Sequence, residues 1–135
     1  MIVADASLIA CFVIRDERSE LADAVCETDA MWMAPLLWRS EVRSALVKYV
    51  QSGLMGFESI MVAWHLAEEA VGGREYSVAA RKVLELAAQS KCSVYDCEYI
   101  VLAQELNVPL VTADKQLLKM FPKTAVSLEK FAKKK

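Results

Sequence analysis

Four carboxylates stand where a solvated acid would not be expected. Asp5 ends a short apolar run, Glu41 lies inside an apolar helical pattern, Asp96 shares a helical stripe with Tyr99, Ile100, Ala103 and Leu106, and Asp114 follows Leu110-Val111-Thr112. None has a Lys or Arg three or four residues away, so the ordinary helix-surface ion pair is closed to each. Other acids, Glu105 among them, share that property, so it supports the argument without deciding it. If the four converge in a partly desolvated crevice, like-charge repulsion raises their pKa values unless cations neutralise them. An all-oxygen site of this kind suits Mg²⁺ or Mn²⁺, which keep several waters and recruit phosphate oxygens. Such ions activate water, align it with a phosphodiester and stabilise the leaving oxygen. The chemistry indicated is phosphodiester hydrolysis.

Each acid alone also has a structural explanation. Asp5 with Ser7 can start a helix, Asp114 can cap one, and Ser93-x-x-Asp96 fits a capping box. Glu41 resists that explanation most, because the helix pattern places it in mid-helix. Competing chemistries have little to work with. His65 is the single histidine, and its helix neighbours Met61, Val62, Glu68 and Glu69 give it no catalytic context. Gly72-Gly73 is followed by Arg-Glu-Tyr, without the Lys-Ser/Thr element of a phosphate-cradling loop. Trp32, Trp38, Trp64 and Tyr95 are able to stack on bases, although their spacing equally suits a core.

The elements that must position these groups alternate. The order expected is a strand over 2–4; helices over 8–14 and 16–28; a strand over 31–34; and a helix over 36–52 with Pro35 in its first turn and Gly53 as its stop. Helices over 57–71 and 76–90 follow, joined by the Gly72-Gly73-Arg74 turn, the second with Ala79, Ala80, Val83, Leu84 and Ala87 inward. Then come the Asp96 helix, stopped by Asn107 and Pro109, a strand over 110–112, a further helix after Asp114, and an edge strand over 125–128. Residues 129–135 are expected to fray as a basic tail. This alternation predicts an α/β fold: a three-layer sandwich with a central, mainly parallel sheet of four to five strands flanked by helices. Right-handed crossovers bring the carboxyl ends of the strands before Asp5 and Asp114 to one edge, where ligands of open α/β sheets bind.

A chain of 135 residues that is 56% hydrophobic suits one domain with a proper core, and its formal charge of −2 announces no basic field for nucleic acid. The longest apolar runs, 8–14 and 30–38, are far short of a membrane span, and no basic leader precedes an apolar stretch. The expectation is a soluble, cytoplasmic protein. Cys11, Cys26, Cys92 and Cys97 lack Cys-x-x-Cys spacing and are read as reduced core thiols. The apolar excess is consistent either with surface covered by a partner or with a larger core.

Taken together, Asp5-Ala-Ser, Glu41 in a mid-chain helix, Tyr95-Asp96 opening a helix that runs into Leu102-Ala103, and Val111-Thr-Ala-Asp114 resemble the PIN-domain ribonucleases, specifically the VapC-like toxins of toxin–antitoxin modules. The resemblance spans essentially the whole chain. It implies that Asp5, Glu41, Asp96 and Asp114 hold Mg²⁺ or Mn²⁺, with Ser7 and Thr112 supporting a ligand or a water. It also implies RNA as substrate, a homodimer, and a cognate antitoxin that blocks the site. A PIN-like module that binds RNA or protein without cutting is the alternative. An aspartyl-phosphate phosphotransferase or dehalogenase with Asp5 as nucleophile has less support, since Ser7 stands where those enzymes resemble one another in carrying an acid or Thr.

Overall fold

The computed structural model describes residues 1–133. Short, mostly apolar segments become buried strands: β1 (Ile2–Ala4), β2 (Trp32–Pro35) and β4 (Leu110–Thr112) are buried at every residue. With β3 (Glu75–Tyr76) and β5 (Ala125–Ser127) they form a five-stranded sheet in the order β3-β2-β1-β4-β5, parallel throughout. Runs of this kind, apolar at consecutive positions, are what a parallel sheet covered on both faces requires.

Side chains alternate across the sheet. Ile2, Ala4, Trp32, Ala34 and Val111 face one layer, formed by α1 (Ala6–Val13), α2 (Ser19–Thr28), α3 (Trp38–Gln51), α4 (Phe57–Val71) and α8 (Leu128–Ala132). Val3 and Leu110 face the other, formed by α5 (Ala80–Ser90), α6 (Val94–Leu106) and α7 (Lys115–Met120). The expected α/β three-layer sandwich is therefore the observed one. All four cysteines are free thiols, Cys11 and Cys97 buried and Cys26 and Cys92 half-buried. Among the described residues no helix is long and apolar enough to cross a membrane.

Several boundaries differ from the sequence expectation, each for a physical reason. Pro35 closes β2 instead of opening a helix. It has no amide hydrogen to offer, and the next amide, Leu36 N, donates to the Tyr76 carbonyl at 3.1 Å, which keeps the chain extended. α3 accordingly starts at Trp38, which puts Glu41 in its first turn and not in mid-helix. α2 starts at Ser19, because the Asp16 carboxylate accepts from Arg18 N at 2.9 Å and holds a turn there.

The strand β3 takes Tyr76, expected to begin a helix, and α5 starts only at Ala80. Its inward face is Val83, Leu86 and Ala87, and Leu84, expected inside, is 60% exposed. Part of the tail expected to fray is the helix α8, anchored by buried Leu128 and Phe131 and capped by Ser127, whose hydroxyl accepts from Lys130 N. The last two residues of that expectation lie outside the described residues.

Candidate active site

Each of the four acids sits at the start of a different helix. Asp5 is the N-cap of α1 and Asp114 the N-cap of α7, while Glu41 and Asp96 lie in the first turns of α3 and α6. The exposed amides and dipole of a helix N-terminus favour negative charge there. Four such termini meeting at the carboxyl edge of β1 and β4 make a crevice able to hold acids that no side-chain cation supports. Among the described residues none of the four is in an ion pair, the arginines being engaged elsewhere, as in Arg15–Asp23 and Arg39–Glu75.

Asp5 is the most tightly held. Because β1 and β4 pair in parallel with Ala4 opposite Val111, the next residues along, Asp5 and Thr112, fall side by side. The Asp5 carboxylate accepts from Ser7 Oγ at 2.6 Å and Leu8 N at 3.0 Å on Oδ1, and from the Thr112 hydroxyl on Oδ2. Both hydroxyls also accept from the loop that follows β4. Ala113 N donates to Ser7 Oγ at 3.0 Å, and Asp114 N donates to Thr112 Oγ1 at 2.9 Å. A hydroxyl has one proton, so those of Ser7 and Thr112 are committed to Asp5, and their 3.4 Å approach to each other is packing. Burial pushes the Asp5 pKa up; the donors from Ser7, Thr112 and Leu8 oppose that, and the charge of Asp114 adds to it.

Glu41 is half-buried, and its pKa is raised first by burial, with further increments from the charges of Asp96, Asp5 and Glu98. Tyr99 counters part of this, yet Glu41 Oε1 and the Tyr99 hydroxyl are both enclosed without a completed hydrogen bond. Asp96 is half-buried at the mouth of the crevice rather than in the core. Its backbone N–H donates to the helix cap Ser93 Oγ at 3.1 Å, and burial and the charge of Asp114 raise its carboxyl pKa. Asp114 accepts from Gln116 N at 2.8 Å and Leu117 N at 3.2 Å. The four acids thus act on one another through space, Asp5 with Asp114 and Glu41, and Asp96 with Glu41 and Asp114.

The arrangement is open. Among the described residues no three His, Cys, Asp or Glu side chains are gathered closely enough to enclose an ion as they stand. The donor set still fits a hard divalent cation. It is all oxygen, it carries an orphaned and enclosed Glu41 Oε1, its charges are uncompensated by Lys or Arg, and Mg²⁺ in particular binds through few carboxylates while keeping its waters. Asp5, Glu41 and Asp96 are the residues able to hold such an ion directly.

The other candidates separate clearly. Trp32 and Trp38 are core, and Trp64 stacks on Trp38 with centroids 5.3 Å apart. Tyr95, 62% exposed and adjacent to Asp96, is the member of that set free to meet a base. His65 is exposed and pairs with Glu68 at 3.3 Å, away from the acids. Tyr99, expected as a residue of an apolar stripe, also carries an enclosed hydroxyl that periodicity does not reveal. Its position three residues after Asp96 was the available signal.

No protein-family model matches the chain. Its sequence is 31% identical over 128 residues to Ribonuclease VapC3 of Pyrobaculum aerophilum, covering 90% of this chain and 95% of that protein. The fold is similar to the crystal structure of PAE2754 from Pyrobaculum aerophilum, with a TM-score of 0.79, 20% identity, and 97% and 92% of the two chains covered. It is also similar to a chain of a toxin–antitoxin complex from Klebsiella pneumoniae, with a TM-score of 0.66, 15% identity, and 95% and 98% covered. At those identities the two structures speak for the fold. The sequence match, nearly end to end in both chains, is the stronger finding, and by it this protein belongs to the PIN-like VapC ribonuclease family.

Proposed function

We propose that this protein is a metal-dependent endoribonuclease that hydrolyses RNA phosphodiester bonds, and that it is the toxin of a toxin–antitoxin pair. The observation that carries the reading is the meeting of Asp5, Glu41, Asp96 and Asp114 at four helix N-termini with no side-chain cation among them. Mg²⁺ or Mn²⁺ bound there supplies positive charge to the scissile phosphate and makes water a better nucleophile.

The chain's own residues divide the remaining work. Asp5, Glu41 and Asp96 hold the cation, and Asp114 acts as a further ligand through water or as a positioner of a second ion. Ser7 and Thr112 fix the Asp5 carboxylate and spend both hydroxyl protons on keeping it ionised. The exposed ring of Tyr95 offers a face to a nucleobase beside Asp96, and Lys115, exposed next to Asp114, offers charge to the backbone.

An antitoxin partner is supported by the toxin–antitoxin complex whose chain shares this fold. Exposed apolar side chains also run along the α3–α4 side, where Leu54, Val62 and Leu66 border a cleft of about 520 Å³ remote from the acids. We read the protein as a single-domain, cytoplasmic homodimer. The non-cleaving alternative draws on the openness of the acidic set.

Incubation of antitoxin-free protein with an RNA pool in Mn²⁺ separates the two. Discrete products absent with Asp5→Asn and Glu41→Gln support the nuclease. RNA retained intact by folded, Mn²⁺-supplied protein supports the binding module.

A further inference from the structure

Tyr99 is buried to 2% exposure in the layer of Val3, Ile100, Leu110 and Leu117, a setting where phenylalanine would pack with no polar atom to satisfy. Enclosing a hydroxyl without a partner costs free energy, so its oxygen needs an account. Among the described residues, the Tyr99 hydroxyl and Glu41 Oε1 are the two enclosed side-chain polar atoms that complete no hydrogen bond. The carboxylate, the phenol and the amide of Ala6, in the first turn of α1, lie near enough to bias one another electrostatically, short of closed hydrogen bonds. That amide is one of the donors a helix start leaves without an intrahelical acceptor. A phenol both accepts and donates. A small adjustment lets its oxygen take the Ala6 hydrogen and give its own to Glu41.

We propose that Tyr99 is a positioning residue for Glu41: its hydroxyl ties one carboxylate oxygen to the start of α1, so that the other is presented to the divalent cation beside Asp5 and Asp96. The inference rests on the metal-dependent reading and adds to it a residue that touches neither cation nor RNA. Such a link would join α6 to two helix starts, since Tyr99 on α6 lies between Glu41 in the first turn of α3 and the first turn of α1. Partners that orient a metal ligand from behind typically shift metal affinity by about 10–100-fold when removed.

The test is a calorimetric Mn²⁺ titration of wild type, Tyr99→Phe, Glu41→Gln and the double variant, with kcat and the Mn²⁺ half-activation concentration measured alongside. Phenylalanine keeps the ring and removes one oxygen, so far-ultraviolet circular dichroism stays as in wild type. The expected result is Mn²⁺ affinity about tenfold weaker in Tyr99→Phe, with kcat largely recovered at saturating Mn²⁺. In the double variant, the expected affinity is no weaker than in Glu41→Gln alone, because the phenol acts through Glu41. Wild-type affinity in Tyr99→Phe, or losses that add in the double variant, would overturn the positioning role while leaving the nuclease intact. Absence of Mn²⁺ uptake by wild type would overturn the metal-dependent reading and the positioning role with it.

Discussion

Replacing Thr112 with valine tests the device that holds Asp5. Thr112 is fully buried, gives its hydroxyl proton to Asp5 Oδ2 and accepts from Asp114 N at 2.9 Å. Valine conserves the shape and removes both bonds. A hydrogen bond to a charged group contributes about 1.5–3 kcal/mol and a neutral one about 0.5–1.5 kcal/mol, so the expected loss is about 2–4.5 kcal/mol. That is a large part of the roughly 5–15 kcal/mol by which a domain is stable. At about 4 °C per kcal/mol for a chain of this size, the midpoint falls by about 8–18 °C. Thr112→Ser keeps both bonds and gives up one buried methyl, for about 1 kcal/mol.

Urea unfolding followed by the fluorescence of the buried Trp32 and Trp38 measures both variants. The valine deficit should be full at pH 7 and shrink as acidification protonates Asp5, which then no longer needs the donor. Valine as stable as serine at pH 7 would refute the reasoning and reduce Thr112 to a space-filling residue.

Asp96→Asn should leave the unfolding midpoint unchanged or slightly raised, because it removes one of several repelling charges while Ser93 continues to cap α6; a loss above about 1 kcal/mol in urea unfolding would mark Asp96 as a structural residue. The pH dependence has a definite sign. Burial raises Asp5, Glu41 and Asp96 in the folded state, so the folded protein binds the extra protons. Metal-free stability is therefore expected to rise as pH falls from neutral through their elevated range and to level off below the ordinary carboxylate values, while Mn²⁺ affinity moves the opposite way; thermal unfolding from pH 5 to 8 in chelator checks the first and calorimetry the second. Tyr95→Ala should raise KM for RNA by about 5–150-fold, the value of one base stack at about 1–3 kcal/mol, with kcat and the melting temperature unchanged. An unaltered KM would remove Tyr95 from the RNA path.

The acids were legible in the sequence because each breaks a local pattern, and the β1 and β4 strands because their apolar runs end on those acids. Glu41 stood out for a local reason that the structure corrects. Its helix begins two residues later than the periodicity suggests, since a nonlocal bond from Leu36 N to the Tyr76 carbonyl keeps the chain extended. The strand β3 left no local signal, being two residues long and defined by pairing with Ala34 and Pro35 from forty residues upstream in the chain, about the span of a supersecondary unit. The α8 helix was hidden by its lysines, although the burial of Phe131 outweighs them. Tyr99 was counted by its ring alone, because periodicity reports apolar bodies and says nothing of a hydroxyl at the far end.

On the function proposed above, the four acids act together through a divalent cation to cut RNA. The most direct test of that reading is a mixed RNA pool incubated with purified, antitoxin-free protein in Mn²⁺ or Mg²⁺, in excess chelator, and with the Asp96→Asn variant. Discrete products that vanish in both controls are the predicted result. Products that persist in chelator, or that the folded Asp96→Asn variant makes at the wild-type rate, would contradict it.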